Sequence, residues 1–251
     1  MSGKKMMQWQ KWVLACAMGV ALPAYAADMD MSHDMAHDHV SPNLTKFMLD
    51  RLEARSSDAG TVTYWEAQAW AGSDINKLWL KTEGDMLKGS TEEADVELLY
   101  SRAVLPFWDA QLGVRHDMEV GGKPARDWAA FAFKGLAPYL FDVDATVYVG
   151  DSGHTAARLK GEYNLLLTQR LVLMPEAEVN LYGQSDAARR LGSGVSSLDI
   201  GLRLRYEIRR EFAPYVGVVW TQKFGGTADY ARQASEAVRD TQFVVGVRAW
   251  W

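Results

Sequence analysis

The chain has 251 residues, of which 48% are hydrophobic and 24% charged, a composition that fits one large domain or two small ones. Its formal net charge of −5 argues against nucleic acid as a partner and favours a cation. Beyond the N-terminal region, no run approaches the roughly 18 to 20 apolar residues that a membrane-spanning helix requires. A membrane location would therefore require a closed β-barrel, since only helices and closed barrels satisfy every backbone polar group in lipid.

The first segment of the chain has the three parts of a secretory signal peptide. Lys4, Lys5 and Lys11 form a cationic start, residues 12–23 an apolar centre, and Ala24-Tyr25-Ala26 a cleavage site of small residues. We therefore expect a signal peptide over residues 1–26 and an exported protein.

Cys16 is the single cysteine, and Val13-Leu14-Ala15-Cys16 offers an alternative reading as a lipoprotein signal. That reading leaves only about four apolar residues before the cysteine, against the roughly 7 to 15 of an ordinary apolar region. Cleavage after Ala26 leaves no thiol, and so no disulfide and no thiolate metal site.

The segment that follows, residues 27–45, is predicted to be a short disordered periplasmic tail rich in Met, His and Asp. Thioether sulfur selects Cu(I), whereas imidazole and carboxylate suit Cu(II) or Zn(II). A tail with both ligand types can hold copper in either oxidation state. The alternatives are a polar linker and a His-rich zinc or nickel buffer, which has less use for methionine. The predicted copper ligands are Met29, Met31, His33, Asp34, Met35, His37, Asp38 and His39.

From residue 46 to residue 251, stretches of apolar/polar alternation are separated by breaks, as in residues 141–150 and 196–209. This period of two is typical of strands with one apolar and one polar face. We predict an all-β fold, a transmembrane antiparallel outer-membrane β-barrel of about 12 strands. The predicted strands lie near 46–56, 61–72, 76–89, 94–105, 107–118, 126–136, 139–150, 154–167, 170–183, 196–209, 212–223 and 241–251.

The connections between these segments alternate between short turns and longer loops, the asymmetry of outer-membrane barrels. The last segment has an apolar face that ends in Trp251, a C-terminal aromatic of the kind read by outer-membrane assembly machinery. A soluble two-sheet sandwich shows the same alternation, but it has no reason to keep the parity of loop lengths.

Inside such a barrel the polar faces would form a lumen whose opposite charges pair into a network. Met174 is a thioether on this charged face beside Glu176, and with His154 at the outer rim it is a candidate for further copper ligation. The alternative is a packed polar core without metal. The residues expected to point inward are Glu66, Gln68, Trp70, Lys81, Glu83, Asp85, Asp109, Gln111, Arg115, Arg126, Lys134, Asp142, Asp144, Arg158, Lys160, Glu162, Asn164, Glu176, Glu178, Arg203, Arg205 and Glu207.

Four long stretches, 65–85, 101–117, 126–181 and 201–230, resemble the copper resistance protein B family of outer-membrane proteins. The resemblance implies an outer-membrane barrel that works with periplasmic copper-resistance partners, such as a multicopper oxidase. Some members carry long repeated Met/His blocks, whereas the tail here is short.

We therefore expect a non-enzymatic outer-membrane protein with its tail in the periplasm, where the tail captures copper and the barrel stores it or moves it across the membrane. A general diffusion or structural barrel without metal specificity is the second hypothesis. An outer-membrane hydrolase is the third, and it would need a serine near His116 or His154 together with an oriented base, which the sequence does not supply.

Overall fold

The computed structural model describes residues 44–57 and 60–251. The predicted signal peptide and all of the predicted tail except residues 44 and 45 lie outside this range. The first strand begins at Leu44, two residues before the predicted start of the barrel. Within the described residues, no helix is long and apolar enough to span a membrane.

Almost the whole described chain is built of antiparallel strands, as the alternation predicts. β8 and β9 are two parts of one strand interrupted at Asn164, so the barrel has twelve strands in all. The strands are β1 (Leu44–Ser57), β2 (Gly60–Gly72), β3 (Asn76–Leu87), β4 (Ser90–Leu105), β5 (Trp108–Asp117), β6 (Arg126–Ala137), β7 (Phe141–Gly150), β8 (Thr155–Tyr163), β9 (Leu165–Leu166), β10 (Leu171–Tyr182), β11 (Gly194–Tyr206), β12 (Phe212–Lys223) and β13 (Arg239–Trp250).

Each strand pairs with its sequence neighbours, and the barrel closes where β13 pairs with β1. At this seam the Phe47 N–H donates to the Trp251 carbonyl over 3.0 Å, and the Trp251 N–H donates to the Phe47 carbonyl over 2.9 Å. Closure removes the open sheet edges that lipid does not tolerate. The predicted outer-membrane-type barrel is therefore confirmed.

The two ends of the barrel differ in their connections. The end that holds Leu44 and Trp251, here called the terminal end, has connections of no more than five residues, the longest being 207–211. The opposite end, here called the loop end, has the longer connections 118–125, 183–193 and 224–238. The last of these contains the one helix described by the structure that is longer than a single turn, α1 (Gly225–Gln233).

The outer wall is apolar and the interior is charged. Leu112, Phe131 and Val147 are exposed on the outside, whereas Arg203 and Glu97 are buried inside. Because successive side chains of a strand point to opposite faces, one alternating pattern produces both surfaces.

Candidate functional site in the barrel lumen

The predicted copper ligands of the N-terminal tail lie outside the described residues. Their assignment rests on the sequence and stays a prediction. They are Met29, Met31, His33, Asp34, Met35, His37, Asp38 and His39.

The described part of the candidate site is the lumen, where most of the predicted inward residues pair with one another. Burial in a narrow interior makes unpaired charge costly, so paired charges are the stable arrangement. The predicted lumen residues that form an ion pair or a hydrogen bond with another side chain are Glu66, Gln68, Lys81, Glu83, Asp109, Gln111, Arg115, Arg126, Lys134, Asp144, Arg158, Lys160, Glu162, Asn164, Glu176, Glu178, Arg203, Arg205 and Glu207.

Arg51 of β1 is the centre of the largest group of ion pairs. Its Nη1 donates to Oε1 of Glu176 over 2.9 Å, and its Nη2 bonds the other oxygen of the same carboxylate. Its Nε lies 3.4 Å from Glu66, and its Nη2 lies 3.5 Å from Glu162. Since the neighbours of β1 are β2 and β13, the contacts with β8 and β10 cross the lumen.

Arg203 of β11 extends this group on the same side of the barrel. Its Nε donates to Oε1 of Glu53 over 2.7 Å, and its Nη1 lies 3.6 Å from Glu176. The Tyr215 hydroxyl donates to the same Glu53 oxygen over 3.0 Å. Arg55 Nε donates to the other Glu53 oxygen over 2.7 Å. Three arginines and a tyrosine therefore hold the two buried carboxylates, a charge-assisted arrangement with defined geometry.

A second group connects β8 with the opposite wall. Arg158 Nη1 donates to Glu83 over 2.7 Å, and its Nη2 lies 3.3 Å from Glu97. Lys160 donates to Glu66 over 2.9 Å. The Tyr148 hydroxyl donates to Glu97 over 2.7 Å. Because Glu66 also contacts Arg51, the two groups join into one network across the barrel.

The sequence reading missed the β1 and β4 members of this network and an apolar cluster beside it. Arg51 and Glu53 escape simple alternation because a β-bulge between Leu49 and Arg51 shifts the register with β2 and reverses which residues point inward. Glu97 lies on the polar phase of the alternation in β4, so the sequence already indicated that it points inward. The apolar lumen cluster consists of Met48, Trp79, Leu99, Trp128, Ala130 and Tyr148.

Met174 is buried on the inner face of β10, as predicted, and its sulfur has a cationic neighbour. Arg205 Nη1 lies 3.1 Å from the Met174 sulfur and donates to it, while Arg205 Nη2 lies 3.2 Å from Glu207. Glu176, predicted as a ligand beside Met174, is paired with Arg51 and Arg203. In this arrangement the Arg205 guanidinium occupies one side of the thioether, and its positive charge opposes the binding of a cation there.

The two described histidines stand apart from this network. His154 is half-buried at the loop end, where its backbone N–H donates to the Asp151 carbonyl over 3.2 Å. His116 lies on the outer face, with Nδ1 2.6 Å from Asp127. The structure therefore does not bring either imidazole to Met174, and no group of three His, Cys, Asp or Glu residues with metal-site geometry occurs between residues 44 and 251 apart from the two undescribed positions.

The connection 183–193 folds against the loop end through ion pairs. Arg126 of β6 bonds Asp186, and Arg189 Nη2 lies 3.4 Å from Asp117 of β5. Arg189 Nη1 also donates to the Pro124 carbonyl over 2.6 Å. The loop is therefore tied to β5 and β6, which are not neighbours of its own strands β10 and β11.

A closed antiparallel barrel with an apolar outer wall and an ion-paired interior defines an outer-membrane-type β-barrel protein. Among solved structures the chain is similar to the NanC porin, with a TM-score of 0.55 and 11% identity over 81% of this chain and 98% of that one, a likeness of fold. The family model "Copper resistance protein B precursor (CopB)" matches residues 43–251. The chain belongs to the copper resistance protein B family.

Two relatives show the same family membership at the level of sequence. The copper resistance protein B homolog of Pseudomonas syringae pv. tomato is 45% identical over 220 residues, which are 88% of this chain and 74% of the relative. Copper resistance protein B of Escherichia coli is 46% identical over 204 residues, 81% of this chain and 68% of the relative. The predicted family is therefore confirmed.

Proposed function

We propose that this protein binds periplasmic copper and sequesters it or moves it across the outer membrane, and thereby contributes to copper resistance. The observation that carries the proposal is family membership over residues 43–251 combined with the Met/His/Asp segment that precedes them. Family membership supports a role in copper resistance, and the ligand chemistry of the segment supports direct binding.

The N-terminal tail is the proposed capture site. Met29, Met31 and Met35 would supply thioethers for Cu(I), and His33, His37 and His39 imidazoles for Cu(II). Asp34 and Asp38 would add carboxylate oxygen and negative charge. Copper is cargo here, and no catalytic group is proposed.

The barrel is proposed to supply a second, weaker site at Met174. Glu176 would provide nearby negative charge, and His154 would be a ligand at the opposite mouth. The contact between Arg205 and the Met174 sulfur supports a site that is closed until the guanidinium moves. Such a site suits transfer better than storage, because one thioether binds copper weakly.

We further propose that the barrel is embedded in outer-membrane lipid with its terminal end in the periplasm. Short turns on the periplasmic side are the pattern of bacterial outer-membrane barrels, which supports this orientation and a periplasmic tail. The family resemblance supports a periplasmic multicopper oxidase of the copper-resistance system as a partner.

A general diffusion or structural barrel is the alternative function. The contacts of Arg51 and Arg158 with the opposite wall argue against a wide open channel, since both guanidiniums lie in the lumen and are held by carboxylates. The network therefore favours a specific role over general diffusion.

Cellular copper content and copper tolerance test the proposal. Cells with the wild-type protein, a deletion of residues 28–39, and no protein are compared at elevated copper. We expect the deletion to lose most of the tolerance while the barrel still migrates as a folded species on heat-modifiable gels. Unchanged copper binding and tolerance in the deletion would contradict the tail as the capture site.

A further inference from the structure

Two neighbouring turns at the terminal end carry a cluster of unpaired arginines. Arg170 ends the connection between β9 and β10, and Arg209 and Arg210 lie in the connection between β11 and β12. The turns touch, because the Glu207 N–H donates to the Arg170 carbonyl over 2.7 Å. Together they line a surface cleft of about 440 Å³.

These arginines differ from most other cations of the barrel. In the part of the chain that the structure describes, most Lys and Arg side chains have an ion pair, a side-chain hydrogen bond or a ring contact. The side chains without any of these are Lys88, Arg102, Arg170, Arg209 and Arg210. Three of them meet at one cleft, and all three are exposed.

The acidic side chains near the cleft do not neutralise it. Glu207 is engaged by Arg205, whose Nη2 lies 3.2 Å away. Glu211 is the other carboxylate of the same turn and is exposed. The cleft therefore has three guanidinium groups and one carboxylate without an ion pair, and its net charge is positive. Such a cleft suits a phosphate, because one guanidinium can donate two parallel hydrogen bonds to two phosphate oxygens.

The surface next to the cleft is apolar. Ile208 lines the cleft, and Leu165 and Phe212 on the outer face beside it are exposed. Leu166 also lines the cleft, but it pairs with Val172 and therefore lies on the inner face. This arrangement places cationic heads at the rim of the barrel directly beside side chains of the lipid-facing wall. A soluble acidic partner would make no use of the exposed apolar side chains, whereas a lipid contacts both surfaces at once.

We propose that this cleft binds the headgroup of an anionic phospholipid, with the phosphate on Arg170, Arg209 and Arg210 and an acyl chain along Ile208 and the outer-face side chains Leu165 and Phe212. The site would fix the rotation and depth of the barrel in the phospholipid leaflet. It rests on the proposed membrane placement, but it is independent of copper binding.

Native mass spectrometry of the purified mature protein in detergent, with added phosphatidylglycerol or phosphatidylcholine, tests the site. The test variant is Arg170→Gln/Arg209→Gln/Arg210→Gln. The control is Lys88→Gln/Arg190→Gln/Arg232→Gln, which removes the same charge from exposed residues at the loop end. Heat-modifiable migration verifies that both variants are folded.

We expect the wild type and the control to retain phosphatidylglycerol in preference to phosphatidylcholine. The test variant should bind it at least about tenfold more weakly, since each basic side chain near an anionic lipid surface contributes roughly fivefold. Equal losses in both variants, or no preference in the wild type, would overturn the proposal.

Two further arms separate the other ligands with the same chemistry. Displacement of the lipid by millimolar inorganic phosphate would identify a free-phosphate site and overturn the lipid assignment. An acidic peptide that loses binding in the test variant while lipid retention stays unchanged would identify a protein-docking surface and overturn it as well. None of these measurements involves copper. A negative result would therefore contradict the lipid site and would not contradict the proposed copper function.

Discussion

Arg51 and Glu176 form an ion pair across the lumen of the barrel, although 125 residues separate them in the sequence. The guanidinium contacts both carboxylate oxygens, and the two side chains are 92% buried. A buried pair of this kind fixes the distance between opposite walls, because separating it would expose each charge to an interior with little water.

Substitution of Arg51 by Gln should destabilise the barrel by about 3 kcal/mol or more, because Glu176 would lose its closest cationic partner. Urea unfolding of the protein in lipid vesicles, followed by tryptophan fluorescence, measures this change. Arg232→Gln is the control, since its pair with Asp229 is exposed and should contribute less than about 1 kcal/mol. Equal stability of the two variants would contradict a structural role for the cross-lumen pair.

Removal of the two cross-lumen arginines should open the channel. In planar bilayers we expect low single-channel conductance for the wild type and a higher value for Arg51→Ala/Arg158→Ala, because both side chains bridge the walls. Arg190→Ala/Arg232→Ala removes the same charge at exposed positions and should behave as wild type. A wild-type conductance as large as that of the double variant would favour a general diffusion pore.

The thioether and imidazole ligands of the tail should bind different oxidation states of copper. Replacement of Met29, Met31 and Met35 by Leu should weaken Cu(I) binding and leave Cu(II) binding nearly unchanged, since thioethers are soft ligands. Replacement of the three tail histidines by Ala should do the reverse. Competition titrations with chromogenic Cu(I) and Cu(II) chelators measure both affinities, and parallel losses in the two variants would argue against this division.

Arg205 should control access to the Met174 sulfur. In a chain without residues 28–39, Arg205→Gln is expected to strengthen Cu(I) binding, because the sulfur loses its guanidinium donor. Met174→Leu, which keeps the volume, should abolish that binding. Met48→Leu is the matched control, as Met48 is also buried in the lumen. If the Met174 and Met48 variants bind Cu(I) alike, Met174 is not the ligand.

Two strand glycines, one in β5 and one in β8, should respond oppositely to substitution by alanine. A Cβ at Gly113 would lie 1.9 Å from the Leu98 carbonyl oxygen, whereas a Cβ at Gly161 would meet no atom within 4 Å. Gly113→Ala should therefore destabilise the barrel by about 1 to 3 kcal/mol, and Gly161→Ala should be neutral or stabilise it by up to about 1 kcal/mol. Vesicle unfolding compares the two, and similar midpoints would contradict the close packing at Gly113.

Much of the barrel could be predicted from the period of the sequence. Residues 141–150 show why: Asp144 and Tyr148 on one phase point to the lumen, while Val147 on the other phase is exposed outside. The even number of strands follows from counting such segments. Loop length alone would not give it, since the loop-end connection 88–89 is shorter than the terminal-end connection 207–211.

The pairing inside the lumen could not be predicted in the same way. Contacts such as Lys160 with Glu66 join strands that are not sequence neighbours, so they depend on barrel width and strand tilt rather than on a local pattern. The bulge after Leu49 is a second obstacle, because one extra residue exchanges the two faces of β1 from that point on. Alternation also cannot show that Arg205 bonds the Met174 sulfur.

The ion pairs that join β1 to β10 and β11 bear on the order in which the barrel forms. Arg51 and Glu53 lie in the first strand, but their partners Glu176 and Arg203 come 125 and 150 residues later. Arg51 can pair early with Glu66 of β2, and Glu53 with Arg55 of its own strand. Their contacts with β10 and β11 form late, because joining such distant segments costs loop entropy. The first strand to emerge is thus among the last to reach its final ionic surroundings.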